Sequence, residues 1–312
     1  MIEGKLFKWV GGKKWLSPKL NDLYKKELVK ENCKYYIEPF AGGLGSLLFV
    51  LPTLKEKNIE TIIINDINGV LINTYKSIKN KKNKVFKEYW RLEREYKKTI
   101  PKKAFKLNSH KDKEEIKELL KDSRDYFYEI RKRFNQVKDT KKVESVACFL
   151  FLAQHSFNGL YRENSSGEYN APYNWEPGCP DRAKKKALIE KYSEIFNEFN
   201  FVFENKDVFS FMKKYKKYSE EALFYFDPPY LNEDIAETKY NKDHFTKDKQ
   251  LKLLKIMKEL DNVIFSNHYL KVFEDFCQEE GFLIKKVFRS SAMNSDPLKR
   301  GQKVAEILAY KI

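Results

Sequence analysis

The sequence predicts an α/β protein, a doubly wound sheet interrupted by a long, mainly helical insertion. Three observations lead there. A strand, a glycine-rich turn, a helix and a second strand follow one another over residues 35–78, and βα alternation resumes after residue 200. The residues between these two stretches are polar, helical in pattern and dominated by lysine. With 312 residues, 42% hydrophobic, and 24 Phe and 19 Tyr, the chain can fill such a core, which excludes a disordered, collagen-like or coiled-coil protein.

Each element has its own signal. Tyr35-Tyr36-Ile37-Glu38 reads as a strand, Pro39-Phe40-Ala41-Gly42-Gly43-Leu44-Gly45 as a turn, and an apolar helix starts at Ser46. Thr61-Ile62-Ile63-Ile64, ending at Asn65-Asp66, completes the opening βαβ unit. Residues 76–142 offer only scattered apolar side chains such as Phe86, Tyr89, Trp90, Phe127 and Ile130. A buried helix is predicted over 143–154. Then Asn164-Ser165-Ser166-Gly167, a turn tetrad between two β-prone runs, predicts a hairpin. Beyond residue 200 come the strand Phe201-Val202-Phe203, a helix after Val208, the strand Leu223-Phe224-Tyr225-Phe226, a helix over 249–260 and the strand Val263-Ile264-Phe265. The last two apolar runs, 282–288 and 304–309, have no helix-length segment between them and predict an antiparallel pair.

Charge narrows the partner. The chain carries 61 Lys+Arg against 45 Asp+Glu, a net +16, which favours a polyanion, nucleic acid before a membrane surface. Of those cations 52 are Lys, a bias that coding composition alone also produces. Location is more telling, because residues 76–142 hold 24 Lys+Arg and 11 Asp+Glu, or +13 of the total. The apolar stretch 146–153 is too short to span a bilayer and the N-terminus lacks a signal-peptide core, so a cytoplasmic protein is expected. Four scattered cysteines without a C-x-x-C pair and four histidines without H-x-x-x-H spacing predict neither a metal site nor a disulfide framework.

The strongest chemical signal is Asp227-Pro228-Pro229-Tyr230, directly after an apolar strand. Consecutive prolines hold the loop extended and its carbonyls outward, at the strand end where doubly wound sheets bind ligands. A carboxylate beside a carbonyl accepts both hydrogens of an exocyclic NH₂ group, and the Tyr ring is a platform for a planar base. In isolation the tetrapeptide reads equally as a Pro-rich turn with an incidental Asp. The glycine turn lets backbone approach a cofactor ahead of a helix N-terminus, and Asp66, 21 residues after Gly45, has the spacing to take ribose hydroxyls. No G-x-x-x-x-G-K-[ST] loop is present, which argues against an NTPase. The glycines alone do not separate a nicotinamide dinucleotide from S-adenosylmethionine.

Together these residues resemble the Dam-like (D12 class, alpha-group) family of DNA adenine-N6 methyltransferases, over nearly the whole chain. Similar blocks stand in family order: Phe7-Lys8-Trp9-Val10-Gly11-Gly12-Lys13, Glu38-Pro39-Phe40-Ala41-Gly42, Asn65-Asp66-Ile67-Asn68, Phe157-Asn158-Gly159-Leu160-Tyr161-Arg162, the Asp227 tetrapeptide, Phe265-Ser266-Asn267-His268, and a tail from Arg289-Ser290-Ser291 to Leu308-Ala309-Tyr310. The resemblance implies a Rossmann-like methyltransferase sheet formed by residues 1–75 and 200–312, which binds S-adenosylmethionine. It makes 76–199 the target-recognition domain. The expected reaction is sequence-specific transfer of a methyl group to N6 of an adenine flipped out of double-stranded DNA.

Roles follow residue by residue from the same resemblance. Asp227 and Pro228 accept the N6 hydrogens, Pro229 completes the loop and Tyr230 stacks on the base. Trp9, Gly11, Gly12 and Lys13, with Glu38, Pro39, Phe40, Gly42, Gly43 and Gly45, hold the methionine part of the donor, which Asp227 also borders. Asp66 with Ile67 takes the ribose, and Asp207 with Val208 the adenine amino group. By pattern alone Asp207 is the N-cap of a helix, and Trp9 is equally ordinary core. Arg162 is the best base reader and Lys8 the second, with Asn158, Asn170 and Pro172 beside them. The lysines of 76–142 read as phosphate contacts, a solvated face being the alternative for any one of them.

The implied protein needs no metal, is a monomer by family default, and admits a cognate restriction endonuclease as partner. It acts in the cytoplasm, nucleoid-associated or in a host cell if viral. The turn after Phe40 carries one residue more than the commonest family form, a change to the cofactor loop. Asn174-Trp175-Glu176-Pro177-Gly178-Cys179 after Pro172-Tyr173 is unlike GATC-directed members, so a GATC target is not carried over although Arg162 and Pro172 match. An RNA or protein-amide methyltransferase, or a non-catalytic DNA-binding relative, are the competing expectations.

Overall fold

The fold is seen in a computed structural model that describes residues 4–9, 11–13, 15–28, 30, 32–107, 111–230, 245–290 and 303–311. Val10 and Ser291, quoted above, lie outside the described residues. Described residues up to Gly12 group with Asn68–Glu198 in one compact unit, and those from Lys13 to Ile67 group with those from Phe199 onward in a second.

The second unit is built on one sheet. Strands β1 (Tyr35–Glu38), β2 (Thr61–Asn65), β3 (Asn200–Glu204), β4 (Ala222–Phe226), β5 (Val263–His268), β6 (Leu283–Ser290) and β7 (Lys303–Lys311) lie in the order β3-β2-β1-β4-β5-β7-β6. The first five are parallel, and β7 is antiparallel to both β5 and β6, as the two final apolar runs predict. All five residues of β4 are buried, the signature of a strand covered on both faces.

Period-two alternation sorts the layers. On one face Ile37, Ile63, Phe224, Phe226 and Phe265 pack with α8 (Val208–Tyr215), α9 (Lys247–Met257) and α10 (Lys271–Glu279), through Phe211, Leu253 and Phe273 among others. On the other face Tyr36 meets Tyr24, ring centroids 6.1 Å apart, at the end of α1 (Ser17–Leu23). Thr53 of α2 (Leu47–Glu56) donates to Asn21 of α1 at 2.5 Å. The order places β1 beside β4, with Ile37 opposite Phe224, while the chain leaves them toward opposite edges. This is the topological switch point, where an open α/β sheet leaves a crevice at its carboxyl ends. The glycine turn follows β1 there and the Asp227 loop follows β4.

The first unit is helical. Helix α3 (Gly69–Lys98) starts ahead of the predicted insertion because Asn68 caps it, accepting from the amides of Val70 and Leu71, and it breaks at Lys81, where φ is −141°. With it are α4 (Lys113–Leu119), α5 (Lys121–Val137), α6 (Val143–His155) and α7 (Arg182–Glu198). In α5 the buried residues Phe127, Ile130 and Phe134 recur every three or four positions, so its many charges fall on the outer face. Helix α6 is buried continuously from Ser145 to Leu152. Aromatic contacts hold the unit together, Phe7 with Phe149 at 4.9 Å and Phe127 with Tyr173 at 5.4 Å.

The predicted hairpin is present but short. Its ladder is a single bridge from Glu163 to Tyr169, with Asn170 N–H donating to the Arg162 carbonyl. The Asn164 side chain takes the amides of Ser166 and Glu168, so a local turn replaces further strand pairing.

Candidate active site

Asp227 sits at the carboxyl end of β4 with its side chain 16% exposed. The Lys13 ammonium lies 3.3 Å from its Oδ1, and the Ser266 hydroxyl of β5 donates to the same oxygen at 2.9 Å. Burial raises the Asp227 carboxyl above its ordinary value, against the opposing pull of Lys13 and Ser266. The Lys13 ammonium also lies over the Tyr230 ring, 4.1 Å from its centroid, a cation–π contact. His268 meets that ring edge-on at 4.7 Å, and the Tyr230 hydroxyl donates to Glu306 at 2.7 Å. The sequence predicts that the carbonyls of this loop point outward, but not all of them do. Pro229's accepts from the Gln250 amide of α9 at 2.7 Å, and Gln250 is buried.

The glycine turn is held by side chains from neighbouring loops. Gly42, at φ +48°, donates its N–H to Asp66 Oδ2 at 2.8 Å, so the carboxylate expected at a ribose braces the turn itself. Leu44 rather than Gly43 or Gly45 takes the second left-handed position, at φ +58°, and it is fully buried. Asn65 ties three strand ends together: its amide donates to the carbonyls of Pro39 and Lys206, and its Oδ1 accepts from Lys206 N–H. Glu38 is 2% exposed and accepts from the Tyr36 hydroxyl at 3.2 Å. Burial, then the charge of Asp227, drives its carboxyl well above the ordinary range. Ile67 is exposed, an apolar surface next to Asp66.

Asp207 is a helix cap. Its Oδ1 accepts from the amides of Phe209 and Ser210, both at 3.0 Å, and the Ser210 hydroxyl, then these amides, hold its carboxyl below the ordinary value. The site thus collects Glu38, Asp66, Asp207 and Asp227 at the ends of four adjacent parallel strands, with Lys13 as the cation on Asp227.

Sequence reasoning missed the supports: Ser266, Gln250, His268 and Glu306. Ser266 and His268 lie in a block quoted above without a role. Glu306 had a signal, a lone acidic residue inside the apolar run Val304 to Ala309.

In the helical unit, Trp9 packs against Tyr161 at 5.4 Å, and Gly11 and Gly12 are exposed. Arg162 is exposed and cross-braced, Nε to Asn170 Oδ1 at 2.7 Å and an outer nitrogen to the Asn170 carbonyl at 3.1 Å. The Pro172 carbonyl accepts from Phe157 N–H, and Asn158 and Gly159 are both left-handed, at φ +57° and +64°. A Cβ on Gly159 meets Lys8 Cδ at 2.9 Å and the Ala153 carbonyl at 3.1 Å, so Lys8 is packed on this loop. Gly159→Ala is therefore expected to cost about 2 kcal/mol, from the left-handed backbone and the backbone oxygen together. Denaturant melts of the full chain check this; an unchanged midpoint contradicts it.

The model of the D12 class N6 adenine-specific DNA methyltransferases matches residues 9–291. The chain belongs to this family. It is thus a transferase that methylates adenine N6 at sites in DNA, and its substrates are DNA and a methyl donor. It is 34% identical to the type II methyltransferase M.MjaIII of Methanocaldococcus jannaschii, covering 96% of both chains. It is 30% identical to the type II methyltransferase M1.LlaDCHI of Lactococcus lactis subsp. cremoris, covering 96% of this chain and 93% of that one. The DNA adenine methylase of Escherichia coli K12 is 28% identical, over 97% and 94% of the two chains. The family acts on adenine in DNA, which sets the RNA and protein-amide expectations aside. Among the described residues no helix is long and apolar enough to cross a membrane.

Proposed function

We propose that the methyl donor is S-adenosylmethionine and that the Asp227 loop receives an adenine flipped out of duplex DNA. The observation that carries this reading is the meeting of Asp227, Ser266, Lys13 and Tyr230 at the sheet's switch point, beside the Asp66-braced glycine turn. Lys13 and Ser266 both engage Oδ1, so Asp227 Oδ2 and the Pro228 carbonyl are the acceptors assigned to the two N6 hydrogens. Two acceptors in the base plane turn the nitrogen lone pair toward the sulfonium methyl. Rate enhancement then comes from alignment and fixed dipoles. Tyr230 is the stacking platform, which offsets part of the few kcal/mol that unstacking costs.

The glycine turn with Glu38, Pro39 and Phe40 holds the methionine part, Asp66 and Ile67 the ribose, and Asp207 and Val208 the donor's adenine. Asp207 keeps its capping bonds in this role. Trp9, Gly11 and Gly12 join the donor site on the strength of the resemblance. Residues 76–199 are the recognition domain: Arg162, Lys8, Asn158, Asn170 and Pro172 act at the bases and the lysines of 76–142 at phosphates. The bracing of Arg162 by Asn170 supports this, because a guanidinium held in one plane loses less freedom when it pairs with a guanine edge. A monomer in the cytoplasm, beside a cognate endonuclease, is the setting the family resemblance implies, and two relatives carry the name type II methyltransferase.

Incubation with methyl-labelled S-adenosylmethionine and mixed-sequence duplex DNA is expected to place N6-methyladenine at one short motif. Label on RNA or protein, or none from this donor, rejects the reading.

A further inference from the structure

Glu306 has no part in the chemistry above, and its surroundings demand an explanation. It lies in β7, paired with His268 of β5 and Val287 of β6, and it is 0% exposed. Its neighbours Ile307, Leu308 and Ala309 are apolar and equally buried. A carboxylate in such a place is costly unless both oxygens are satisfied. Both are: Arg289 of β6 donates through Nε to Oε1, and the Tyr230 hydroxyl donates to Oε2 at 2.7 Å.

A purely structural role explains half of this. Pairing with Arg289 staples β6 to β7, but the Arg289 side chain is 34% exposed and water can serve it, whereas an apolar residue fits a fully buried strand position better. What only a carboxylate supplies here is a charged acceptor for the phenol, and charge-assisted O–H···O⁻ bonds are shorter and stronger than neutral ones. Burial, then the nearby charge of Asp227, keeps the Tyr230 hydroxyl protonated, so it is the donor. The ring is thus held at its hydroxyl by Glu306, at one side by the edge contact with His268, and on one face by Lys13.

We propose that Glu306 is a positioning residue for the target base: it fixes the plane of the Tyr230 platform through the phenol, with Arg289 as its counter-ion. The proposal rests on the reading of Tyr230 as the stacking residue. A ring free to rotate still offers apolar area, but it no longer meets the flipped base in the plane that points N6 at the donor. The effect belongs in kcat rather than in donor binding.

The test uses the full chain and duplexes carrying the methylated motif, with adenine for kinetics and 2-aminopurine at the target position for fluorescence. Tyr230→Ala tests the platform itself, and kcat is expected to fall about 30-fold, in line with the loss of one base–aromatic stack. Glu306→Gln and Tyr230→Phe both remove the charged bond while keeping shape and ring. Each is expected to lower kcat by about 5-fold at unchanged KM for S-adenosylmethionine, with the double variant no worse than either single one. Both are expected to brighten bound 2-aminopurine to the same level, as stacking loosens. Multiplying effects, or a Glu306→Gln variant with a lower melting temperature but wild-type kcat and fluorescence, overturn the positioning role alone. Full activity of Tyr230→Ala overturns the platform reading and this inference with it. Should Glu306→Gln not fold, Tyr230→Phe breaks the same bond from its other end, and wild-type kcat and fluorescence there overturn the proposal.

Discussion

An Asp227→Ala variant is expected to lose methyl transfer by at least about 10²–10³-fold, the scale set by removing one preorganised electrostatic partner from a reacting centre. Its carboxylate is the charged acceptor of the Asp227–Tyr230 tetrapeptide, and Ser266 and Lys13 hold it in place. Alanine leaves the Pro228 carbonyl to orient the amine alone, and with one acceptor the N6 lone pair is free to swing out of line. DNA affinity is expected to stay largely intact, because it is dominated by phosphate contacts and their released counterions. Fluorescence anisotropy on duplex DNA alongside single-turnover methylation checks the pair of outcomes. Transfer near the wild-type rate removes Asp227 from the mechanism.

Lys13→Met carries the second large effect, and it depends on pH. The ammonium is 3.3 Å from Asp227 Oδ1 with side chains only 8% and 16% exposed, so removing it leaves a buried carboxylate without its charge partner. Breaking such a pair costs about 3 kcal/mol. Burial already raises the Asp227 carboxyl above its ordinary value despite Lys13, and without Lys13 it rises further. A folded-state value above the unfolded one means that the native protein holds the proton more tightly. Stability is therefore lost as pH rises from the unfolded value through the folded one, and the added destabilisation of the variant fades as pH falls. Melting curves at about pH 8 and about pH 5 are expected to show a wide gap from wild type at the higher pH and a narrower one at the lower. The reaction uses the ionised carboxylate, so the acid limb of kcat/KM is expected to move to higher pH in the variant. An unmoved limb means that Lys13 does not set the charge state of Asp227.

The elements were legible from the sequence because their signals are local. A β-branched run, a glycine turn, two prolines after an apolar strand and a turn tetrad act over a few residues, and β1, β2, β4 and the final antiparallel pair fall close to where they are predicted. Helix α3 starts earlier than its charge pattern indicates because Asn68, read as part of a sequence block, is a cap. Asp207 was legible as a cap for the same local reason.

The working connections of the site are a different matter. Asp227 was visible in its tetrapeptide, yet Ser266 is 39 residues away, Gln250 lies 21 residues beyond Pro229, and Glu306 is 76 residues beyond Tyr230. Only its place in the N-terminal block separates Lys13 from 51 other lysines, and nothing there tells of Asp227; the chain's route into α1 puts this one on it. By itself the sequence determined the strands, the turns, the helical and lysine-rich insertion with its +13 charge, and the residue types that accept an amine. Only the tertiary structure decided which buried polar groups meet. The strand order β1-β4-β5-β7 brings together side chains that are far apart along the chain, and inside the protein each carboxylate must find its donor or counter-ion there.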